Sequence, residues 1–147
     1  MRSSLQQKRL QAMKADSSRE PLMELTQALG TTSRWNSALS NHPHTPEIAF
    51  AAGAVVVLYD PVADKQTGFL SSASGKPVSC LAHSPDGKLL AVGESGKQPA
   101  VLVWDLAKQQ VVATLLKHKH GVAAMAWAPA MKHLVSVGVE YDGNLCV

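Results

Sequence analysis

The chain has 147 residues, of which 46% are hydrophobic and 5% aromatic, and its formal net charge is +3. This length is enough for one domain with a buried core. No apolar run approaches the roughly 18 residues of a membrane span, and the start lacks the apolar segment of a signal peptide. The two cysteines, Cys80 and Cys146, cannot form a disulfide framework or a four-ligand zinc site. We therefore expect a cytoplasmic protein with reduced thiols and no transmembrane segment.

The positive charge is concentrated at the start of the chain. Residues 1–34 hold six basic side chains against three carboxylates, whereas residues 35–147 hold eight of each. A neutral body argues against a nucleic-acid surface built into the fold. We expect residues 1–30 to form a basic, poorly ordered tail. A transit peptide or a weak contact with an anionic surface remains an alternative for the first part of this tail, which contains no acid up to residue 15.

The end of the tail contains a weak helical pattern. Three leucines fall at helical spacing, namely Leu22, Leu25 and Leu29. Pro21 suits a first-turn position and Gly30 can terminate a helix, so the pattern predicts a short helix, with a covering strand as the rival interpretation. Residues 31–45 are predicted to be a loop because residues 41–46 contain two prolines among short polar side chains.

From residue 46 onwards, short apolar runs separated by turn residues predict β-strands. The predicted strands are 47–52, 54–59, 67–70, 78–83, 89–92, 100–104, 110–116, 122–128, 133–139 and 144–147. Residues 84–87, Ser-Pro-Asp-Gly, predict a turn because proline presets φ at its second position. The strands on either side of residues 93–99 do not alternate between apolar and polar side chains. They are therefore predicted to form a hairpin that is covered on both faces.

The strands recur at a fixed period. Val78-Ser-Cys-Leu-Ala-His-Ser-Pro85 lies 44 residues before Val122-Ala-Ala-Met-Ala-Trp-Ala-Pro129. Tyr59-Asp60 lies 45 residues before Trp104-Asp105. A period near 44 with four short strands in each unit is typical of a propeller blade. The sequence therefore predicts an all-β fold of stacked sheets.

Three motifs resemble the WD-repeat β-propeller family: Ser84-Pro85-Asp86-Gly87-Lys88, Trp104-Asp105 and His118-x-x-x-Val122. The resemblance implies a partial propeller of about two and a half blades within residues 31–147, divided near 46–77, 78–121 and 122–147. Residues 52–58, 93–105 and 118–123 resemble, more narrowly, the first blades of the mitogen-activated protein kinase-binding subgroup. Closed propellers have roughly four to eight blades. We therefore expect a fragment of a longer protein, or an open sheet completed by another chain.

The resemblance also implies roles for individual residues. WD blades contain a buried hydrogen-bond network, which here implies the set His118, Ser136 and Asp142. The implied blade anchors are Tyr59, Asp60, Trp104 and Asp105. The preceding unit has Ser74 and Gln98 where the network histidine and aspartate should stand. That blade is therefore expected to keep its tryptophan anchor without the network.

Catalytic and metal chemistry find little support in the sequence. His42-x-His44 and His118-x-His120 lack further ligands, and the Gly-Lys pairs at residues 75 and 96 lack the rest of a phosphate loop. Cys80 lies in a predicted buried strand, which favours an inert thiol. Trp104 and Trp127 are expected in the core, while Trp35 is a candidate contact residue. We expect no enzyme activity, no cofactor and no metal.

These features favour a non-catalytic protein–protein interaction scaffold, because propellers present loop-lined faces to partners. The resemblance implies a mitogen-activated protein kinase pathway, or a centrosome or spindle-pole assembly, and cytoskeletal as well as cytoplasmic localisation. The implied partners are other proteins rather than small-molecule substrates. The alternative function is a membrane or nucleic-acid contact made by the basic tail, with the blades purely structural.

Overall fold

The computed structural model describes residues 25–32 and 34–147, and within these ranges the chain forms eleven strands and no helix. The all-β prediction is therefore confirmed for this part of the chain. The strands are β1 Leu39–Asn41, β2 Ile48–Ala52, β3 Val55–Asp60, β4 Lys65–Ser71, β5 Val78–His83, β6 Leu89–Glu94, β7 Val101–Asp105, β8 Gln110–Leu115, β9 Val122–Trp127, β10 Leu134–Gly138 and β11 Leu145–Cys146. Most of the predicted basic tail lies outside the described residues.

The strands form three antiparallel sheets that follow one another along the chain. The first sheet has the order β1-β2-β3-β4, the second β5-β6-β7-β8, and the third β9-β10-β11. Each sheet is a meander, as expected when short turns join neighbouring strands. The first sheet packs against the second mainly through β5, and the third packs against β5 and β6. This arrangement confirms the prediction of partial propeller blades.

The predicted hairpin at residues 84–105 lies at the centre of the molecule. Its strands β6 and β7 pair antiparallel, with Leu90 opposite Trp104 and Val92 opposite Leu102. Both strands are buried almost throughout, as predicted from their lack of alternation. Their side chains join β2, β3 and β5 in the main core. Gly87 ends the preceding turn at φ 72°, a conformation that favours glycine.

Two local predictions near the start are wrong. Residues 25–29, the described part of the predicted helix, have no regular secondary structure. Gln66 holds this segment by donating to Ala28 O and accepting from Ala28 N, both at 2.8 Å. The predicted loop 31–45 contains β1, whose Leu39 pairs with Phe50 of β2. In both places, contacts with distant residues override the local pattern.

Consecutive sheets share an end where their loops meet. The strands alternate in direction, so the links between sheets and the turns between the second and third strands of each sheet lie together. We call this the junction end. It consists of residues 53–54, 72–77, 95–100, 116–121 and 139–144. The opposite end carries the remaining turns, including residues 84–88.

Polar side chains join the sheets at the opposite end. Ser40 Oγ lies 2.9 Å from His83 Nδ1 and accepts from His83 N at 3.1 Å. His42 Nδ1 accepts two backbone N–H groups, so its Nε2 carries the proton and donates to Gly87 O at 3.1 Å. Trp127 Nε1 donates to Ala82 O at 3.0 Å and thereby ties the third sheet to the second.

The surroundings of His83 predict that the free energy of unfolding depends on pH. Burial, followed by the nearby charge of His42, lowers the pKa of His83 to about 4. The unfolded side chain titrates near 6.5, so the unfolded state binds more protons between these values and stability is lost as the pH falls. We expect the contribution of His83 to fall by about 1 kcal/mol over this range, because partial exposure reduces the full effect. Urea unfolding of the 147-residue chain at several pH values measures this.

The substitution His83→Asn should flatten the pH dependence of the unfolding free energy between about 6.5 and 4. The matched control is His44→Asn, because His44 is exposed and makes no bond to the second sheet. If the two variants show the same pH dependence as the unchanged chain, the titration of His83 does not contribute.

Among the described residues, no helix is long and apolar enough to cross a membrane.

Candidate functional site

The structure brings the predicted set His118, Ser136 and Asp142 together at the junction end. His118 Nδ1 lies 2.6 Å from Asp142 Oδ2, and His118 Nε2 lies 2.9 Å from Ser136 Oγ. Because a carboxylate only accepts, the Nδ1–H donates to it, and in the neutral ring Nε2 accepts the serine hydroxyl. All three residues are buried. The network links the segment before β9, strand β10 and the turn after it.

Asp142 also fixes the backbone of the neighbouring loop. Lys119 N donates to Asp142 Oδ1 at 2.8 Å. Burial by itself raises the pKa of this carboxyl, but the bonds from Lys119 and His118 and the charges of His118 and His120 outweigh it. The net result is a pKa below the ordinary aspartate value. The carboxylate therefore stays ionised at neutral pH, and its contribution to stability is lost only as the pH falls through that lowered value.

A glycine makes room for the aspartate. A Cβ placed on Gly138 would lie 2.5 Å from Asp142 Cβ, which is closer than packed atoms tolerate. The residue 44 positions earlier, in β6, is Glu94. The second sheet therefore carries a side chain at the position that the third sheet must leave empty.

Glu94 forms a different buried network in the second sheet. Its side chain is fully buried, and it accepts bonds from the Ser74 hydroxyl and from Ala100 N, the latter at 3.0 Å. Ser74 stands at the position of the network histidine, so the set of His118, Ser136 and Asp142 has no counterpart of the same residue types here. Glu94 instead supplies from β6 the carboxyl that Asp142 supplies from a turn. Glu94 was not among the predicted site residues.

We expect Glu94→Ala to lower the free energy of unfolding by about 1–3 kcal/mol, because it leaves the buried Ala100 N–H without an acceptor. The matched control is Glu140→Ala, which removes an exposed carboxylate at the same end. Chemical denaturation of both variants tests the difference. Equal effects of the two substitutions would show that Glu94 has no structural role.

The four predicted anchors differ in their surroundings. Trp104 is buried in the main core, whereas Tyr59 is half-buried and donates to Asp64 Oδ1 at 2.6 Å. Both aspartates accept backbone N–H groups of the following turn. Asp60 Oδ1 accepts Val62 N at 2.8 Å and Ala63 N at 3.2 Å, and Asp105 Oδ1 accepts Lys108 N at 3.0 Å. Each aspartate thus closes the turn that follows the third strand of its sheet.

The other candidate reactive or metal-binding residues lie in environments that suit a structural role. Cys80 is fully buried, and burial raises the pKa of its thiol to about 12 despite bonds with Ser79 and Gly93 that lower it. The thiol is thus protonated at neutral pH. His42 uses both ring nitrogens in hydrogen bonds to the backbone. Within residues 25–32 and 34–147, no three His, Cys, Asp or Glu side chains are grouped so that they could hold a metal ion.

A groove of about 460 Å³ crosses the junction end. Its lining includes Arg34, Trp35, Ser95, His120, Glu140 and Tyr141. Trp35, the predicted contact residue, packs one part of its ring against the core, and the Arg34 guanidinium lies 5.2 Å from the ring centroid. Tyr141 is 85% exposed. The sequence signal that marks Tyr141 is an aromatic side chain within a turn.

Comparison with known proteins matches this geometry to a repeat family. The family described as "WD domain, G-beta repeat" matches residues 65–105 and 109–147. The chain belongs to the WD-repeat family. This membership agrees with the resemblance stated from the motifs, and the matched residues contain strands β4 to β11.

Several WD-repeat relatives are similar over most of this chain. Mouse mitogen-activated protein kinase-binding protein 1 is 45% identical over 78% of the chain. Pig WD repeat-containing protein 62 is 44% identical over 69% of it. Human cilia- and flagella-associated protein 52 is 30% identical over 85%. The chain spans only 8%, 6% and 20% of these relatives, respectively.

Proposed function

We propose that this WD-repeat chain is a non-catalytic platform that binds other proteins. The observation that carries the proposal is the set of WD blades whose loops are fixed at the junction end by two buried networks, around Glu94 and Asp142. Rigid loops on a β scaffold suit recognition, because little conformational entropy is lost when a partner binds. The half-apolar groove between Trp35 and Tyr141 adds a concave surface.

The names of the relatives support two cellular settings for this platform. One relative is named as a mitogen-activated protein kinase-binding protein. Others are named as a cilia- and flagella-associated protein and, in Chlamydomonas reinhardtii, as centriole proteome protein 16. We propose that the chain acts in a mitogen-activated protein kinase pathway or in a centrosome, spindle-pole or ciliary assembly. The proposed localisation is the cytoplasm and its microtubule-organising structures.

The test uses the tagged 147-residue chain in cells that contain centrioles. We expect mitogen-activated protein kinase pathway proteins or centriolar proteins to copurify with it, and the tag to colocalise with a centriole marker. Enrichment of neither class would overturn the proposed pathway.

Deletion of residues 1–20 separates the blades from the basic tail. If the blades bind the partners, copurification and colocalisation persist after the deletion. If the tail is responsible, binding is lost with it and is sensitive to salt, because the excess positive charge lies within residues 1–34. The second outcome would favour a membrane or nucleic-acid contact over the platform function.

A further inference from the structure

Charged side chains are divided unevenly between the two ends of the blades. Among the described residues, the junction end carries four lysines, namely Lys76, Lys97, Lys117 and Lys119, and Arg34 lies beside it at the groove. Its single exposed carboxylate is Glu140, because Glu94 and Asp142 are buried in their networks. Lysines therefore outnumber carboxylates at the junction end, and its exposed charge is mainly positive, although residues 35–147 as a whole are neutral.

The opposite end provides the contrast. Among the described residues, it carries four lysines against five carboxylates: Lys65, Lys88, Lys108 and Lys132 against Glu47, Asp60, Asp64, Asp86 and Asp105. At least one of these lysines is paired, because Lys108 Nζ lies 3.6 Å from Asp105 Oδ2. The two ends therefore differ in charge although residues 35–147 are neutral in total, and the exposed positive charge is concentrated at the junction end.

The groove lies at this end, and apolar side chains form part of its lining. Trp35 and Tyr141 line it together with Arg34, His120 and Glu140. Tryptophan, tyrosine and arginine are the side chains that most often dominate binding energy at interfaces. A volume of about 460 Å³ suits one large side chain with a short stretch of backbone.

The walls of the groove are held in place by backbone hydrogen bonds. Gly96 N donates to His120 O at 3.1 Å, and Gln98 N donates to Lys119 O at 2.9 Å. Val139 N donates to Gly121 O at 3.0 Å and so ties the Tyr141 side to the same loop. A groove that is already ordered loses little conformational entropy when a ligand binds, which favours binding.

We propose that the junction end binds an acidic, extended protein segment that carries an aromatic or large aliphatic side chain. The apolar side chain enters the groove between Trp35 and Tyr141, and the acidic residues on either side of it contact the lysines of the surrounding loops. This inference rests on the proposed platform function and adds the chemistry of the partner. Glu140 at the groove disfavours a phosphate backbone, which would carry a negative charge on every unit, whereas a peptide can place a neutral residue there.

The test measures fluorescence anisotropy of a labelled Asp/Glu-rich peptide with one central Phe, titrated with the full chain. Two further peptides serve as comparisons: one has Asn/Gln in place of Asp/Glu, and one has Ala in place of Phe. We expect each change in the peptide to weaken binding by about tenfold, since charge and the apolar anchor both contribute. Binding of the acidic peptide should also weaken as salt is raised.

Variants locate the site on the chain. K97E/K119E reverses two exposed charges at the junction end, and we expect it to weaken binding about tenfold. K88E/K132E reverses two exposed charges at the opposite end and should change affinity by less than about twofold. Tyr141→Ala removes a side chain that is 85% exposed, so the fold is kept and only the groove changes. Circular dichroism checks that every variant remains folded.

Three results would overturn the inference: equal affinity for the acidic and the amidated peptide, equal weakening by the two charge-reversal pairs, or tighter binding to single-stranded DNA or phosphatidylserine vesicles than to the peptide. The outcome is separable from the platform proposal. A chain that copurifies with partners but ignores the acidic peptide contradicts only the inference. A chain that binds the peptide but captures neither class of cellular partner contradicts only the proposed pathway.

Discussion

Replacement of His118 by alanine should lower the melting temperature of the chain by about 10 °C. His118 is 5% exposed and is the only side chain in the described structure that contacts both Asp142 and Ser136 through hydrogen bonds. Its loss leaves a buried carboxylate with a single remaining donor, Lys119 N. An unpaired buried charge costs far more than the pair contributes, because it has lost its hydration. Thermal unfolding followed by circular dichroism measures the shift.

His120→Ala is the matched control, because His120 lies two residues away and is exposed. Its melting temperature should remain within about 2 °C of the unchanged chain. Ser136→Ala should give an intermediate shift, since it removes one neutral partner and no charge. If His118→Ala and His120→Ala melt together, the network does not stabilise the blade.

Leu90→Ala should lower the free energy of unfolding by about 2–5 kcal/mol. Leu90 is fully buried in β6, the second strand of the middle blade, and it lies opposite Trp104 in β7. Truncation removes three carbon atoms from the main core and leaves a cavity that the strands on both sides cannot close. Urea or guanidinium denaturation at neutral pH measures the loss.

Leu116→Ala provides the control for this substitution. Leu116 is 70% exposed in the link after β8, so its truncation should change the unfolding free energy by no more than about 0.5 kcal/mol. The same chemical change thus tests burial alone. A similar loss in both variants would contradict the assignment of β6 to the core.

Most strands could be predicted from sequence because their residues are buried by near neighbours in the chain. Within residues 46–147 the period of 44 and the turn residues determine where each meander begins and ends. Strand β1 could not be predicted in this way. This strand has only three residues, which are partly polar, and they form a strand only because β2 lies beside them. The position of the non-helical segment 25–29 likewise depends on Gln66, which is distant in sequence.

The polar networks were only half predictable. The set around His118 follows from the family motif, because each member stands at the expected position. Glu94 does not belong to that motif. The prediction that the second sheet lacks the motif's network rested on Ser74 and Gln98 alone. A signal was nevertheless present: a carboxyl side chain follows the apolar run 89–93 where the next repeat has Gly138. A carboxylate residue at a position that is glycine in the neighbouring repeat indicates that a different side chain supplies the carboxyl group of the network.

We infer that two buried carboxyl groups, Glu94 and Asp142, fix the loops of the junction end. Amide hydrogen exchange can measure how firmly these loops are held. Ala100 N and Lys119 N donate to these groups at 3.0 and 2.8 Å. Lys108 N makes a bond of the same kind, at 3.0 Å, to the half-exposed Asp105. We predict that the Ala100 and Lys119 amides exchange as slowly as strand amides, whereas the Lys108 amide exchanges quickly. Fast exchange at Ala100 and Lys119, as in open loops, would contradict the claim.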